Sequence, residues 1–324
     1  MLLVIWGLTA CTQQDAFTET GTAHVTTSSE DAAVATLSGL GKAEIQHQSI
    51  RVGSNTFDTY VAGPDGGELV VLLHGFPSSV SEWAHQFVSL SLAGYRVAAW
   101  HQRGYSPGAR PANVAEYAES ALAQDVLDIT RVLGGDRFHL VGHDWGAAVA
   151  WRTAAIAPER VATLTAISMP HPDAYRAALG DPTSCQAAAG SYIGRFILPG
   201  YEYVLLANNA HELRGLYDPL PPWQIDAHLR VVGTAAALGA ALNWYRAAVL
   251  HPSPAVGPVR TPATAIWGRA DRYVCGDGWG RTPPLVTGEY EFRVLPDAGH
   301  WLPETHAADV TSAIVARLHT VHTR

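Results

Sequence analysis

Charge is scarce in this chain: only 15% of its 324 residues are Asp, Glu, Lys or Arg. The 21 basic and 29 acidic residues give a formal net charge of -8 with no basic run, which excludes the electrostatic footprint of a nucleic-acid-binding protein. Cysteine is rarer still. Cys11, Cys185 and Cys275 have neither Cys-x-x-Cys spacing nor the density of a disulfide framework, and whether Cys185 and Cys275 pair stays open at this level. No His-Glu-x-x-His cluster, P-loop or Gly-x-Gly-x-x-Gly fingerprint occurs, so no metal or organic cofactor is expected. What is abundant is core material: 48% of the residues are hydrophobic and 10 are Trp, enough for one catalytic domain carrying an inserted subdomain.

The first ten residues, Met1 to Ala10, are almost wholly apolar but far too short to span a membrane. They run into Leu8-Thr9-Ala10-Cys11, which resembles the lipobox of bacterial lipoprotein signal peptides and makes Cys11 a lipidation candidate. The stretch lacks the Lys or Arg of an ordinary signal, so a cell-envelope lipoprotein and a cytoplasmic protein both stay open. Residues 1–42 therefore read as a leader and flexible tether, the part after Cys11 rich in Thr, Ser, Ala and acids without apolar periodicity.

From Ile45 the pattern alternates as in strands, with a turn at Gly53-Ser54-Asn55, which predicts an antiparallel hairpin ending near Val61. An uninterrupted apolar run follows at Leu69–Leu73, and largely apolar runs recur at Tyr95–Trp100, Phe138–Val141, Val161–Ile167, Thr264–Trp267 and Tyr290–Leu295. Parallel strands buried on both faces need such runs. Helix-period segments between them, Ser81–Leu92, Asn113–Leu133, Ala147–Ala157 and His306–His319, complete a repeated βα pattern and a mostly parallel, eight-stranded α/β sheet flanked by helices. The alternation stops between Met169 and Val259, where Pro-punctuated helices predict an inserted helical cap. The expected division is a core of 43–169 and 260–324 around a cap of 170–259.

Strand Phe138–Val141 leads into Gly142-His143-Asp144-Trp145-Gly146 and an Ala-rich helix, the setting of a nucleophile elbow with Asp where lipases have Ser. An Asp at that place can also be a plain helix N-cap; the flanking glycines and the buried strand decide for a nucleophile. Asp271 follows strand Thr264–Trp267 and His300 follows Tyr290–Leu295, so acid and histidine come in the expected order at strand C-termini. Asp173 is a lower-ranked alternative for the acid. His74-Gly75-Phe76-Pro77, after Leu69–Leu73, suits an oxyanion hole built from the N–H groups of Phe76 and Trp145.

Together with Arg103-Gly104-Tyr105-Ser106-Pro107-Gly108-Ala109-Arg110-Pro111 and Gly299-His300-Trp301, these motifs resemble the α/β-hydrolase-fold epoxide hydrolases, especially the bacterial members, over about residues 45 to 318. The resemblance implies two cap tyrosines that hold the epoxide oxygen: Tyr245, within Leu242-Asn243-Trp244-Tyr245-Arg246, and Tyr192, seven positions before Pro199-Gly200. It further implies an ester on Asp144, hydrolysed by water that His300 activates while Asp271 orients it, and a small apolar epoxide as substrate. One departure is His101, where family members usually carry Asp before Gln-Arg-Gly-Tyr. Its expected effect is on local packing and proton affinities.

The nearest rival is a haloalkane or haloacid dehalogenase, which uses the same aspartyl ester but must solvate a halide; Phe76 and Trp145 stand where those enzymes usually carry an Asn and an Arg. An esterase lacks its Ser here. A non-catalytic ligand-binding protein on the same fold is the reading from another class. A homodimer is compatible with the sequence, which sets no oligomeric state.

Overall fold

The structure, a computed structural model, describes residues 44–321. Cys11 and the rest of the expected leader lie outside the described residues. The elements, in chain order, are β1 Ile45–Val52, β2 Asn55–Ala62, β3 Leu69–Leu73, α1 Ala84–Leu92, β4 Arg96–Trp100, α2 Glu119–Val132, β5 Phe138–His143, α3 Trp145–Ile156 and β6 Val161–Ile167. The helices α4 Pro172–Leu179, α5 Cys185–Ala189, α6 Ile193–Phe196, α7 Tyr201–Leu216, α8 Pro222–Val232 and α9 Ala235–Leu250 then form the inserted cap. The chain returns to the sheet with β7 Ala263–Gly268, α10 Gly276–Gly280, β8 Tyr290–Leu295, α11 Leu302–Thr305 and α12 Ala307–Leu318.

Eight strands make one sheet in the order β1-β2-β4-β3-β5-β6-β7-β8. The β1–β2 and β2–β4 pairs are antiparallel and every other pair is parallel. The inner runs behave as two-faced strands, whereas Tyr290–Leu295, expected to be buried on both faces, is the edge strand β8 and is only partly buried. Val71, Leu73 and Leu140 pack into the core on one side, and Val70, Leu72 and Val141 into the core on the other. Each such side chain, fully withdrawn from water, contributes roughly 1.5–3 kcal/mol.

Two helix-period segments differ from expectation. Ser81–Leu92 and Asn113–Leu133 each divide into a short 3-10 turn, Val80–Trp83 or Val114–Tyr117, before the α-helix proper. In the second, Ala118 takes an extended ψ of 143° that interrupts the helix, while Asn113 caps the turn by accepting from the Ala115 N–H. In the cap, α7 is broken at Ala207–Ala210, where three residues adopt left-handed backbone angles. Among the described residues no single helix is long and apolar enough to cross a membrane.

Cys185, which opens α5 in the cap, is disulfide-bonded to Cys275 on the loop that follows β7. The open question about this pair is answered by the fold. The bond joins cap to core, and the 90-residue separation explains why spacing alone could not show it.

Candidate active site

The site is built at the C-terminal edge of the sheet, around Asp144. This residue sits between β5 and α3 with φ 51° and ψ -121°, a backbone conformation that costs a non-glycine residue energy and needs support from its surroundings. The support is close packing. A Cβ at Gly146 would collide with the backbone oxygen of Leu73, and one at Gly142 with that of Gly146. The helix starts two residues earlier than expected, at Trp145, so the first free N–H groups of α3 follow Asp144 directly.

The three core candidates meet. His300 Nε2 lies 3.5 Å from Asp144 Oδ2, and His300 Nδ1 is 2.8 Å from Asp271 Oδ2. The other Asp271 oxygen accepts from the N–H groups of Tyr273, at 2.8 Å, and Val274, at 3.0 Å. Asp144 Oδ1 accepts from the Phe76 N–H at 2.8 Å. All three side chains are buried. Burial opposes a charge on His300, but the Asp271 and Asp144 carboxylates outweigh it and raise the imidazole to about 10. Burial likewise pushes Asp144 up, yet its bond and charge interaction with His300 hold the carboxyl below its usual value. The resting site is therefore an imidazolium between two carboxylates. Asp173, the alternative acid, is elsewhere: it accepts from the N–H groups of Val256 and Gly257 and pairs with Arg176.

The loop 74–77 is held by His74, which is wholly buried and kept neutral, lowered to about 3 mainly by that burial. Its Nδ1–H donates to the Gly75 carbonyl at 2.9 Å, which leaves Nε2 to accept from the Gln102 N–H at 3.1 Å. A Cβ on Gly75 would lie 2.6 Å from the Asp144 Cβ, so this approach of loop to carboxylate needs glycine. Pro77 follows through a cis peptide, and its carbonyl accepts from the cap phenol of Tyr217 at 2.9 Å.

His101 is buried against Tyr60 and His74, with ring centroids 5.6 and 6.2 Å away, and burial holds it well below its usual value. The missing acid is thus replaced by a neutral ring rather than by an opposite charge. Among the described residues its Nδ1 has no hydrogen-bond partner.

From the cap, Tyr245 and Tyr192 come over Asp144. Tyr245 is buried, with ring centroids 5.1 Å from Trp145, 5.0 Å from Phe76 and 6.1 Å from Tyr192. Its neighbour Trp244 donates from Nε1 to the Arg103 carbonyl at 2.7 Å, and Arg246 pairs with Glu202 at 2.8 Å, so α9 is pinned on both sides of the tyrosine. Burial, reinforced by the negative charge of Asp144, raises both phenols well above 10, and they stay protonated.

Asp144, Tyr192 and Tyr245 line two cavities at once. One is walled mostly by apolar groups such as Met169, Leu179, Ile193 and Val249; the other, smaller, reaches His300 and Trp301. Side chains without a role assigned from sequence also converge here. Tyr273 touches both Tyr192 and His300, and Gln186 is wholly buried between cap and core, donating to the Tyr273 carbonyl and accepting from the Cys275 N–H. No local signal marked either one.

Residues 68–307 match the family described as alpha/beta hydrolase fold. The chain is 31% identical to the AB hydrolase superfamily protein YfhM of Bacillus subtilis (strain 168), over 85% of this chain and 98% of that protein. It is 30% identical to Epoxide hydrolase 4 of Homo sapiens, over 76% of this chain and 71% of that one. The chain belongs to the α/β-hydrolase-fold epoxide hydrolase family. In three dimensions it is similar to the crystal structure of Epoxide Hydrolase A from Mycobacterium thermoresistibile, with a TM-score of 0.75 and 26% identity over 87% of this chain and 100% of that chain.

Proposed function

We propose that this hydrolase opens small apolar epoxides to vicinal diols through an ester on Asp144. The observation that carries the reading is the pair of protonated cap phenols facing the same cavities as an ionised, N–H-bound carboxylate. A relative named as an epoxide hydrolase and the apolar walls of the larger cavity support it.

In the first half-reaction the Asp144 carboxylate attacks a ring carbon in line, and the carbon–oxygen bond of the epoxide breaks. Tyr245 or Tyr192 gives its proton to the departing oxygen. The tyrosinate recovers a proton from the His300 imidazolium, because esterification has removed the Asp144 charge that held it there while Asp271 remains. The neutral imidazole is now the base. It takes a proton from water as the water oxygen bonds to the Asp144 carboxyl carbon, and the oxyanion collects beside the N–H groups of Phe76 and Trp145. Collapse breaks the ester bond, the diol oxygen leaves with the remaining water proton, and carboxylate and imidazolium are restored.

Turnover of styrene oxide by the wild type, with Asp144→Ala and Tyr245→Phe as controls, tests the reading. Diol formation that both substitutions suppress supports it. Halide release from a haloalkane that survives loss of Tyr245 points to the dehalogenase, and absence of any turnover to a binding protein.

A further inference from the structure

Behind the site lies a second carboxylate–imidazole contact that the reaction above does not use. Glu82, in the 3-10 turn before α1, and His143, the last residue of β5, are both fully buried, and Glu82 Oε2 lies 3.2 Å from His143 Nδ1. Each end of the pair stops on backbone of the site. Glu82 Oε1 accepts from the Gly75 N–H at 3.3 Å, one residue before the amide that holds Asp144. His143 Nε2 lies 3.0 Å from the His300 carbonyl, and because a carbonyl only accepts, that nitrogen carries a proton. The same carbonyl receives the Ser168 hydroxyl at 2.8 Å. Burial raises the Glu82 carboxyl, and the charge of His143 and the bond to it oppose the rise.

A buried pair of this kind contributes little net stability compared with an apolar replacement. What sets this one apart is what it connects. We infer that Glu82 and His143 are positioning residues for ester hydrolysis: they tie the oxyanion loop to the backbone of His300, keeping the water-activating imidazole and the Phe76 N–H in register. This rests on the ester reading proposed above. Ester formation uses one contact of this loop, the Phe76 N–H on Asp144, and otherwise draws on the elbow glycines and α9, which hold the carboxylate and the cap phenols from other elements. Hydrolysis alone needs base, water and oxyanion donor aligned together, where small misplacements are costly.

The test separates the half-reactions by rapid quench and mass spectrometry, using styrene oxide on the full chain. Glu82→Ala is expected to slow ester breakdown about tenfold or more, with ester formation within about threefold of wild type, so that the adduct accumulates. Glu82→Gln can still accept from Gly75 and donate to His143, and is expected to restore breakdown to within about threefold. Should Glu82→Ala fail to fold, His143→Asn, which keeps the Glu82 contact and loses the reach to His300, is expected to give the same selective slowing. Equal loss in both half-reactions, no loss in either, or a Gln variant no better than Ala overturns the inference. A wild type that forms no ester overturns the functional reading and this inference with it.

Discussion

The two faces of the site are held in different ways. On the core face the proposed reacting groups are fixed by directed hydrogen bonds to main chain: Phe76 N–H to Asp144, and Tyr273 and Val274 N–H to Asp271. On the cap face the two phenols are held by rings, with Tyr245 packed edge-on against Phe76, Trp145 and Phe196 and Tyr192 against Tyr273 and Phe196. Hydrogen bonds specify direction and ring packing specifies volume. The core face is thus suited to fixed chemistry, and the cap face to shaping which substrates reach it.

That contrast breaks most sharply at Asp144. Asp144→Ala is expected to lower diol formation by more than about a thousandfold with little change in fold, measured by steady-state turnover and circular dichroism. A cap substitution should cost less: Tyr245→Phe keeps the ring packing and loses the proton donor, so ester formation should slow roughly a hundredfold, read by burst-phase kinetics, while ester breakdown stays near wild type. Cys185→Ser loosens the cap from the acid loop without touching either face. It is expected to cost about 2–4 kcal/mol of stability, seen by thermal denaturation, with turnover by the remaining folded enzyme changed only a few-fold.

The gentlest probe is pH. The His300 imidazole moves from 6.5 to about 10 on folding, so its contribution to stability is fully present below pH 6.5 and is lost as pH rises through about 10. The Tm should therefore fall across that window, and fall less in His300→Gln, whose side chain does not titrate.

The core face was also the more legible in sequence. Strand runs such as Leu69–Leu73 must be apolar throughout because both faces are buried, and Gly142 and Gly146 have no room for a side chain, so the elbow announces itself locally. Asp271 and His300 were singled out by their places at the ends of β7 and β8, and the fold brings both beside Asp144. The cap tyrosines came only through family resemblance, since an aromatic in a helix has no signature that separates packing from proton transfer. Glu82 reads as an ordinary acidic residue beside a helical turn; its meaning lies in a contact with His143 that spans 61 positions. The disulfide spans 90. The short 3-10 turns before α1 and α2 share the apolar spacing of the helices they precede, which is why periodicity merged them.

In the proposed mechanism Asp144 bonds covalently to the substrate and is freed when water attacks its own carboxyl carbon. A single turnover of styrene oxide by excess enzyme in heavy-oxygen water tests it directly. The account requires the first diol to leave unlabelled and the isotope to remain in the peptide that contains Asp144. Label in that first diol, with none in the Asp144 peptide, would contradict it.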